Sequence, residues 1–425
     1  MSEIDRDGDL DPRRAVAALR RLRELTGDDR GAQRVAWTAT WARARAWLRE
    51  ELASLPVEVE VDAAGNLWAV LPGASERTVL IGGHLDSVPD GGWLDGALDV
   101  VAGLEVLRAL AAAGEQPVTV ALVDWADEEG ARFGRSLLGS GLATGSIDPA
   151  DVAGLTDRDG IALRDALAEH GVDLDAAARG SDGLARAAAY LELHIEQGPV
   201  LEREGLPLAV VTGTAGVERN VVAIRGEAVQ GGAFPMDARR DALVAGARLV
   251  LAVRAAAPDA DSRATVGDAR VAPGIPTAVP GACDLVVDQR HPDAATLRAM
   301  HDEVRQAAEG IAADEGVAIT WRRIFAMEPI PFDPGLVELA EDVVREVAGD
   351  SRRLFSGALH DAAAVARAGV PTVMLFVQSL GGLSHNRDED TRPEDIETAV
   401  RALHRLTERV IAQVAAREPA TGRQA

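Results

Sequence analysis

Apolar residues fall along the chain in two textures. Short, largely apolar runs of strand length, among them Val79-Leu80-Ile81, Val118 to Val123, Leu191 to Leu193 and Val370 to Val377, have the content of buried strands. Between them lie segments whose apolar positions recur every three or four residues. Residues 12–54, rich in Arg, Ala, Leu and Trp, predict two helices with Trp37, Trp41 and Trp47 packed inward. Val57 to Leu71 predicts a hairpin turning at Asp62 to Asn66. Gly82-Gly83 reads as the end of the first strand. Val100, Val101, Leu104, Leu107 and Leu110 share one face of a helix that Gly114 can stop.

The texture changes from Thr212. VVAIRGEAV and ACDLVVDQR alternate like strands, and Asp237 to Ala257 and Ala294 to Asp314 read as helices. After Ile330 the earlier α/β texture returns with FDPGLVELAEDVVREVAG and VPTVMLFV. The expectation is a main α/β domain of residues 1–212 and 328–425, interrupted by a smaller α+β unit over 213–327. Residues 146–188 are polar and read as short helices covering the site.

Composition narrows the function. A formal net charge of -24 argues against nucleic acid and anionic membranes as partners. No apolar run approaches a membrane span of about 20 residues. The start, MSEIDRDGDLDPRR, lacks the apolar stretch of a secretion signal. Its Asp5 to Asp9 run is similar to a calcium loop, but the glycine is misplaced and no Glu closes it, so it reads as a polar tail. The single cysteine, Cys283, reads as a buried strand residue, which fits a reducing cytoplasm. All 44 basic residues are arginine. Without lysine there is no pyridoxal Schiff base, Walker-type phosphate loop or Ser/Lys dyad.

The chemistry gathers at strand exits. His84 and Asp86 follow the first apolar run, and Asp95 precedes the next helix. In open α/β sheets that crevice binds ligands, and Asp86 is placed to hold the second ring nitrogen of His84. A capped helix with a loop histidine explains this stretch equally well. Asp127-Glu128-Glu129 follows the next run; adjacent carboxylates beside a cavity repel unless a cation is present, whereas in solvent they are an ordinary acidic loop. His194, Glu196 and Gln197 crowd a third exit, His360-Asp361 precedes a helix, and His385 sits in a Gly-rich loop. Imidazoles and carboxylates without thiolate suit zinc in a catalytic site, with manganese, cobalt or nickel as options. A shared aspartate can bridge two ions roughly 3.5 to 4 Å apart. His170, His291, His301 and His404 lie in polar or helical contexts and take no role.

GHLDSVPDGGWLDGALDV, DEEGARFGRSLLGS, HIEQGPVLE and SHNRDEDT stand in the order found in the zinc aminoacylase/carboxypeptidase superfamily. From about residue 15 to 415 the chain resembles its amidase and hydantoinase/carbamoylase branch, which includes N-carbamoyl-amino-acid hydrolases, ureidopropionase and allantoate amidohydrolase. The resemblance implies a metallopeptidase-like α/β catalytic domain with a mostly parallel central sheet, plus an inserted lid and dimerisation domain. It implies two divalent ions, zinc first: one on His84, Asp95 and His194, the other on Asp95, Glu129 and His385. Glu128 would be the general base; Gln197, Arg290 and His360 would contact substrate, Arg290 pairing a carboxylate.

The lid departs from the family pattern. Val229-Gln-Gly-Gly-Ala-Phe-Pro-Met236 stands in place of Asn-His-Ala-Gly-Thr-Thr-Pro-Met, so Gln230 replaces an oxyanion-stabilising histidine, Phe234 a threonine, and Thr277 an asparagine. The expectation is a metal-dependent amidohydrolase that cleaves a linear C–N bond of an N-carbamoyl or ureido acid, with a small anionic substrate. The oxyanion would be stabilised by the ions with help from Gln230 or His360. The alternatives are a family member repurposed for an unusual metabolite, an aminoacylase or dipeptidase, and a non-catalytic ligand-binding protein.

Overall fold

The computed structural model describes residues 9–179 and 181–417, so most of the Asp5 to Asp9 tail lies outside the described residues. The chain divides into two compact units, Met1–Thr212 with Phe332–Ala425, and Gly213–Pro331.

Helix α1 (Pro12–Thr26) starts at Asp11, whose carboxylate accepts from the amides of Arg13 and Arg14. Thr38 caps α2 (Ala39–Leu52) in the same way. Trp37, Trp41 and Trp47 are buried. The antiparallel hairpin of β1 (Glu58–Val61) and β2 (Leu67–Leu71) is tied at its turn by Asp62, which accepts from the amides of Ala64 and Asn66 and from the Trp68 indole. Next come β3 (Thr78–His84), α3 (Ala97–Ala113) and β4 (Thr119–Trp125). Short helices between Leu138 and Ala185 precede β5 (Ala187–Ile195) and β6 (Leu208–Thr214). In the second unit follow β7 (Gly216–Arg225), α4 (Ala242–Ala255), β8 (Arg263–Ala272), β9 (Ala282–His291), α5 (Ala294–Glu315) and β10 (Ala318–Met327). The first unit resumes with α6 (Pro334–Ala348), α7 (Asp361–Arg367), β11 (Thr372–Val377) and α8 (Pro393–Ala416).

The large sheet runs β1-β2-β4-β3-β5-β11-β6. Its pairs β3–β4, β3–β5 and β5–β11 are parallel. Helices on both faces bury these central strands completely or nearly so, which is why they read as largely apolar runs rather than alternating ones. Gly82 and Gly83 do not end β3; they lie inside it. A Cβ on Gly83 would fall 2.3 Å from the Asp99 Cβ, and one on Gly82 2.5 Å from a Val123 methyl. The glycines serve close packing of α3 and β4 on the strand, not strand termination. The whole is a mixed α/β fold with a mostly parallel central sheet.

The second unit is a four-stranded antiparallel sheet, β8-β9-β7-β10. In β9 every second residue is buried, and Cys283, Leu285 and Val287 pack with Leu249 and Val253 of α4 and Val304 and Ala308 of α5. Gly246 lets α4 approach: a Cβ there would lie 2.7 Å from Cys283 Sγ. Among the described residues no helix is long and apolar enough to cross a membrane.

Candidate metal centre

Parallel strands put their carboxyl ends on one edge of a sheet, and α/β proteins bind ligands there. β3 ends at His84, and β5 presents His194 one residue before its end. The loop after β4 carries Asp127-Glu128-Glu129, and the loop after β11 leads to His385. Asp127, Gln197 and His385 all have left-handed backbone, with φ of 59°, 57° and 53°. Non-glycine residues held in that region concentrate at functional sites.

The imidazoles are oriented by backbone carbonyls. His84 Nδ1 lies 3.1 Å from the carbonyl oxygen of Asp86 and His194 Nδ1 lies 2.8 Å from that of Ile195. A carbonyl only accepts, so each Nδ1 carries the hydrogen and each Nε2 turns a lone pair inward. His84 Nε2 is 3.8 Å and His194 Nε2 3.2 Å from Asp95 Oδ1. The other oxygen, Oδ2, is 3.6 Å from His385 Nε2, which is 3.1 Å from Glu129 Oε2. Two groups result, His84-Asp95-His194 and Asp95-Glu129-His385, the ligand atoms of each within 4.8 Å of one another. Asp95 belongs to both. Glu128 Oε2 stands 3.8 Å from His84 Nε2 and belongs to neither.

Electrostatics point the same way. Burial opposes charge on His84, yet Glu128, Asp86 and Asp95 raise it well above its ordinary value. Burial is likewise overcome at His194, where Asp99, Asp95 and Glu192 push it up to about 10. Burial also works against the Asp95 carboxylate, but His194, His84 and Ser384 pull it far below the usual range. Burial raises Glu128 well above its ordinary value, against the pull of His84. Buried carboxylates thus place strong negative potential on the inward-facing imidazole nitrogens. Nitrogen and oxygen donors converging on such a site fit divalent cations.

The remaining predicted residues fall in different places. Gln197 Nε2 donates to Asp95 Oδ2 at 3.0 Å. His360 is buried at the start of α7, its ring 4.4 Å from that of His194 and its Nε2 2.7 Å from Ser356 Oγ. Burial and the neighbouring His194 hold it well below the ordinary histidine value. Gln230 and Arg290 lie in the second unit. Gln230 Oε1 accepts from the Ala233 amide at 2.5 Å, and Arg290 Nε donates to Asp288 Oδ1 at 2.8 Å. Phe234 and Thr277 belong to the same strap as Gln230: the Gly231 amide donates to the Thr277 carbonyl, and Arg239 donates to the carbonyls of Gly231 and Phe234.

Asp86 differs from expectation. Its backbone carbonyl, not its carboxylate at 3.6 Å, is nearer the His84 ring. The carboxylate instead accepts from the amides of Glu128 and Glu129, each at 3.2 Å, and so shapes the acidic loop. Two further residues escaped the sequence reading. Ser384 Oγ donates to Asp95 Oδ2 at 2.7 Å, and Glu389 accepts from the amides of Leu94 and Asp95. Adjacency to His385 was the only signal for Ser384, and Glu389 was hidden in the run Arg-Asp-Glu-Asp.

The chain is 33% identical over 399 residues to an N-carbamoyl-L-amino-acid amidohydrolase of Paenarthrobacter aurescens, spanning 91% of this chain and 95% of that one. It is 32% identical over 386 residues to an allantoate amidohydrolase of Bacillus subtilis, spanning 88% and 92%. A solved structure of an amidase of the hydantoinase/carbamoylase family from Burkholderia multivorans superposes with a TM-score of 0.87 at 33% identity, covering 94% of this chain and 98% of that one. Residues 80–409 match the profile of peptidase family M20/M25/M40, a span that contains both carboxylate-histidine groups and the whole second unit. The chain belongs to peptidase family M20/M25/M40.

Proposed function

We propose that the protein is a metal-dependent amidohydrolase that cleaves a linear C–N bond in an N-carbamoyl or ureido amino acid, or a related acid. The observation that carries this reading is the position of Asp95, with one oxygen toward His84 and His194 and the other toward His385. Two divalent cations, zinc foremost, would be held by His84, Asp95 and His194 and by Asp95, Glu129 and His385. Bound there, such cations lower the pKa of water and polarise a carbonyl. The relatives' named activities, on N-carbamoyl-L-amino acids and allantoate, support the substrate class.

Glu128 lies beside the first group without joining it. It takes the proton released as water attacks the carbonyl carbon and returns it to the departing nitrogen as the C–N bond breaks. Its burial favours proton uptake, as a shuttle near neutral pH requires. His360 and Gln230 assist the developing oxyanion. Gln197 and Arg290 orient an anionic substrate, the planar guanidinium suiting a carboxylate.

The inserted unit serves as lid and as the interface of a homodimer. Support comes from α4, which exposes Leu243, Val244, Val250 and Leu251, the last by 67%, at helical spacing. The single cysteine, buried in β9, suits the cytoplasm. A second reading, a substrate altered from that of the relatives, is favoured by the gathering of Gln230, Phe234 and Thr277 on one strap.

The test is Glu128→Gln. It should keep its metal content while turnover, followed as ammonia release from a panel of carbamoyl and ureido acids, falls by at least about 10²- to 10⁴-fold. Unchanged turnover removes Glu128 from the chemistry, and no release from any panel member by metal-loaded wild type removes the activity.

A further inference from the structure

Glu389 is a buried carboxylate four residues beyond His385 that the reaction above does not use. Its Oε1 accepts from the backbone amides of Leu94 at 2.9 Å and Asp95 at 3.0 Å. These two bonds fall on the residue that supplies the shared carboxylate and on its neighbour, and a side-chain oxygen that accepts from two successive amides fixes the backbone between them. The fit is close. A Cβ on Gly92 would come within 1.9 Å of the Glu389 carboxyl carbon, so only glycine leaves room for the contact. Nearby, in the sequence-distant segment before α2, Arg34 is also buried, without exposure to solvent, and donates from Nε to the carbonyl of Leu85, the residue after His84, at 2.7 Å. Its two terminal nitrogens have no hydrogen-bond partner. Glu389 Oε2 also lacks one.

We propose that Glu389 is a positioning residue for the metal bridge: it fixes the Gly92 to Asp95 loop so that Asp95 offers one oxygen to each ion. The inference rests on the metal-centre reading above. It links the two ends of the ligand set, because the segment that carries His385 also sets the backbone that carries Asp95.

The experiment measures zinc affinity of the full-length protein by competition with a chromogenic chelator, with circular dichroism as the check on folding. Glu389→Ala should fold and bind zinc about 10- to 100-fold more weakly, the usual loss when a partner of a ligand is removed. Glu389→Gln still offers an oxygen to both amides and should restore most of the affinity. Gly92→Ala displaces the carboxylate without deleting it and should weaken binding as Glu389→Ala does; it decides the matter alone if Glu389→Ala does not fold. Folded Glu389→Ala and Gly92→Ala proteins with wild-type zinc affinity would overturn the proposal. Wild type that binds no zinc would overturn the metal centre itself.

Discussion

Gln197 and Ser384 both donate to Asp95 Oδ2, and Glu389 holds the amide of the same residue. Three residues from two parts of the chain therefore orient one carboxylate. The histidines and acids that converge there stand out in the sequence because each lies at or beyond the end of an apolar run, although a capped helix or a solvated acidic loop reads the same way until the chain is folded. Ser384 and Glu389 were not legible. Their partners lie 289 and 294 residues away, and a serine or glutamate carries no mark of a bond that exists only after folding. Asp86 shows the converse, a correct residue given the wrong atom, because a backbone carbonyl leaves no trace in the sequence. At this scale Gln230 is the position to change. Gln230→His loses the bond to the Ala233 amide, worth about 1 kcal/mol, but supplies a donor that can carry charge. Because one oxyanion donor is worth roughly 10²- to 10³-fold, kcat/KM on N-carbamoyl amino acids should rise at least tenfold in a steady-state ammonia assay. No gain would mean that the strap serves a different substrate.

The elements explain why distant residues meet. β3, β4, β5 and β11 are linked by parallel pairings, so the strand exits that were visible separately all open on one edge. The runs were readable because both faces of these strands are buried. Their order was not, since a largely apolar run carries no information about its neighbour. Gly82 and Gly83 were misread for a related reason: a glycine that admits Asp99 against the strand looks in the sequence like one that ends it. The alternating strands of the second unit declared a one-sided sheet directly, as the buried alternation of β9 illustrates. Its helix α4 offers the test of association. Leu251→Glu places a charge on the most exposed residue of the apolar stripe and should convert the proposed homodimer to monomer in sedimentation velocity, with the thermal transition little changed. A dimer that survives this substitution uses another surface.

For the whole molecule, the return of α/β texture after Ile330 made the insertion visible, because Gly213–Pro331 has a core of its own. Shape and charge act together here. A net charge of -24 would repel the proposed anionic substrate at long range, whereas Arg290, in its proposed role, would act only at contact. Raising ionic strength from about 0.01 M to 0.15 M shortens the screening length from about 30 to 8 Å. kcat/KM for a carboxylate substrate should then rise several-fold, with kcat unchanged and no effect on an uncharged amide analogue. A flat salt profile would show that the local field at the cleft, not the net charge, governs approach.

His84 and His194 are almost wholly enclosed, whereas the His385 side chain is 50% exposed. With the proposed cations in place, the two seats differ in lability. An ion on the more exposed His385 side would exchange with solution more readily than one on His84 and His194. Slow depletion would therefore yield a long-lived species loaded at the inner seat alone, still gripping one oxygen of Asp95 and ready to recapture its missing companion.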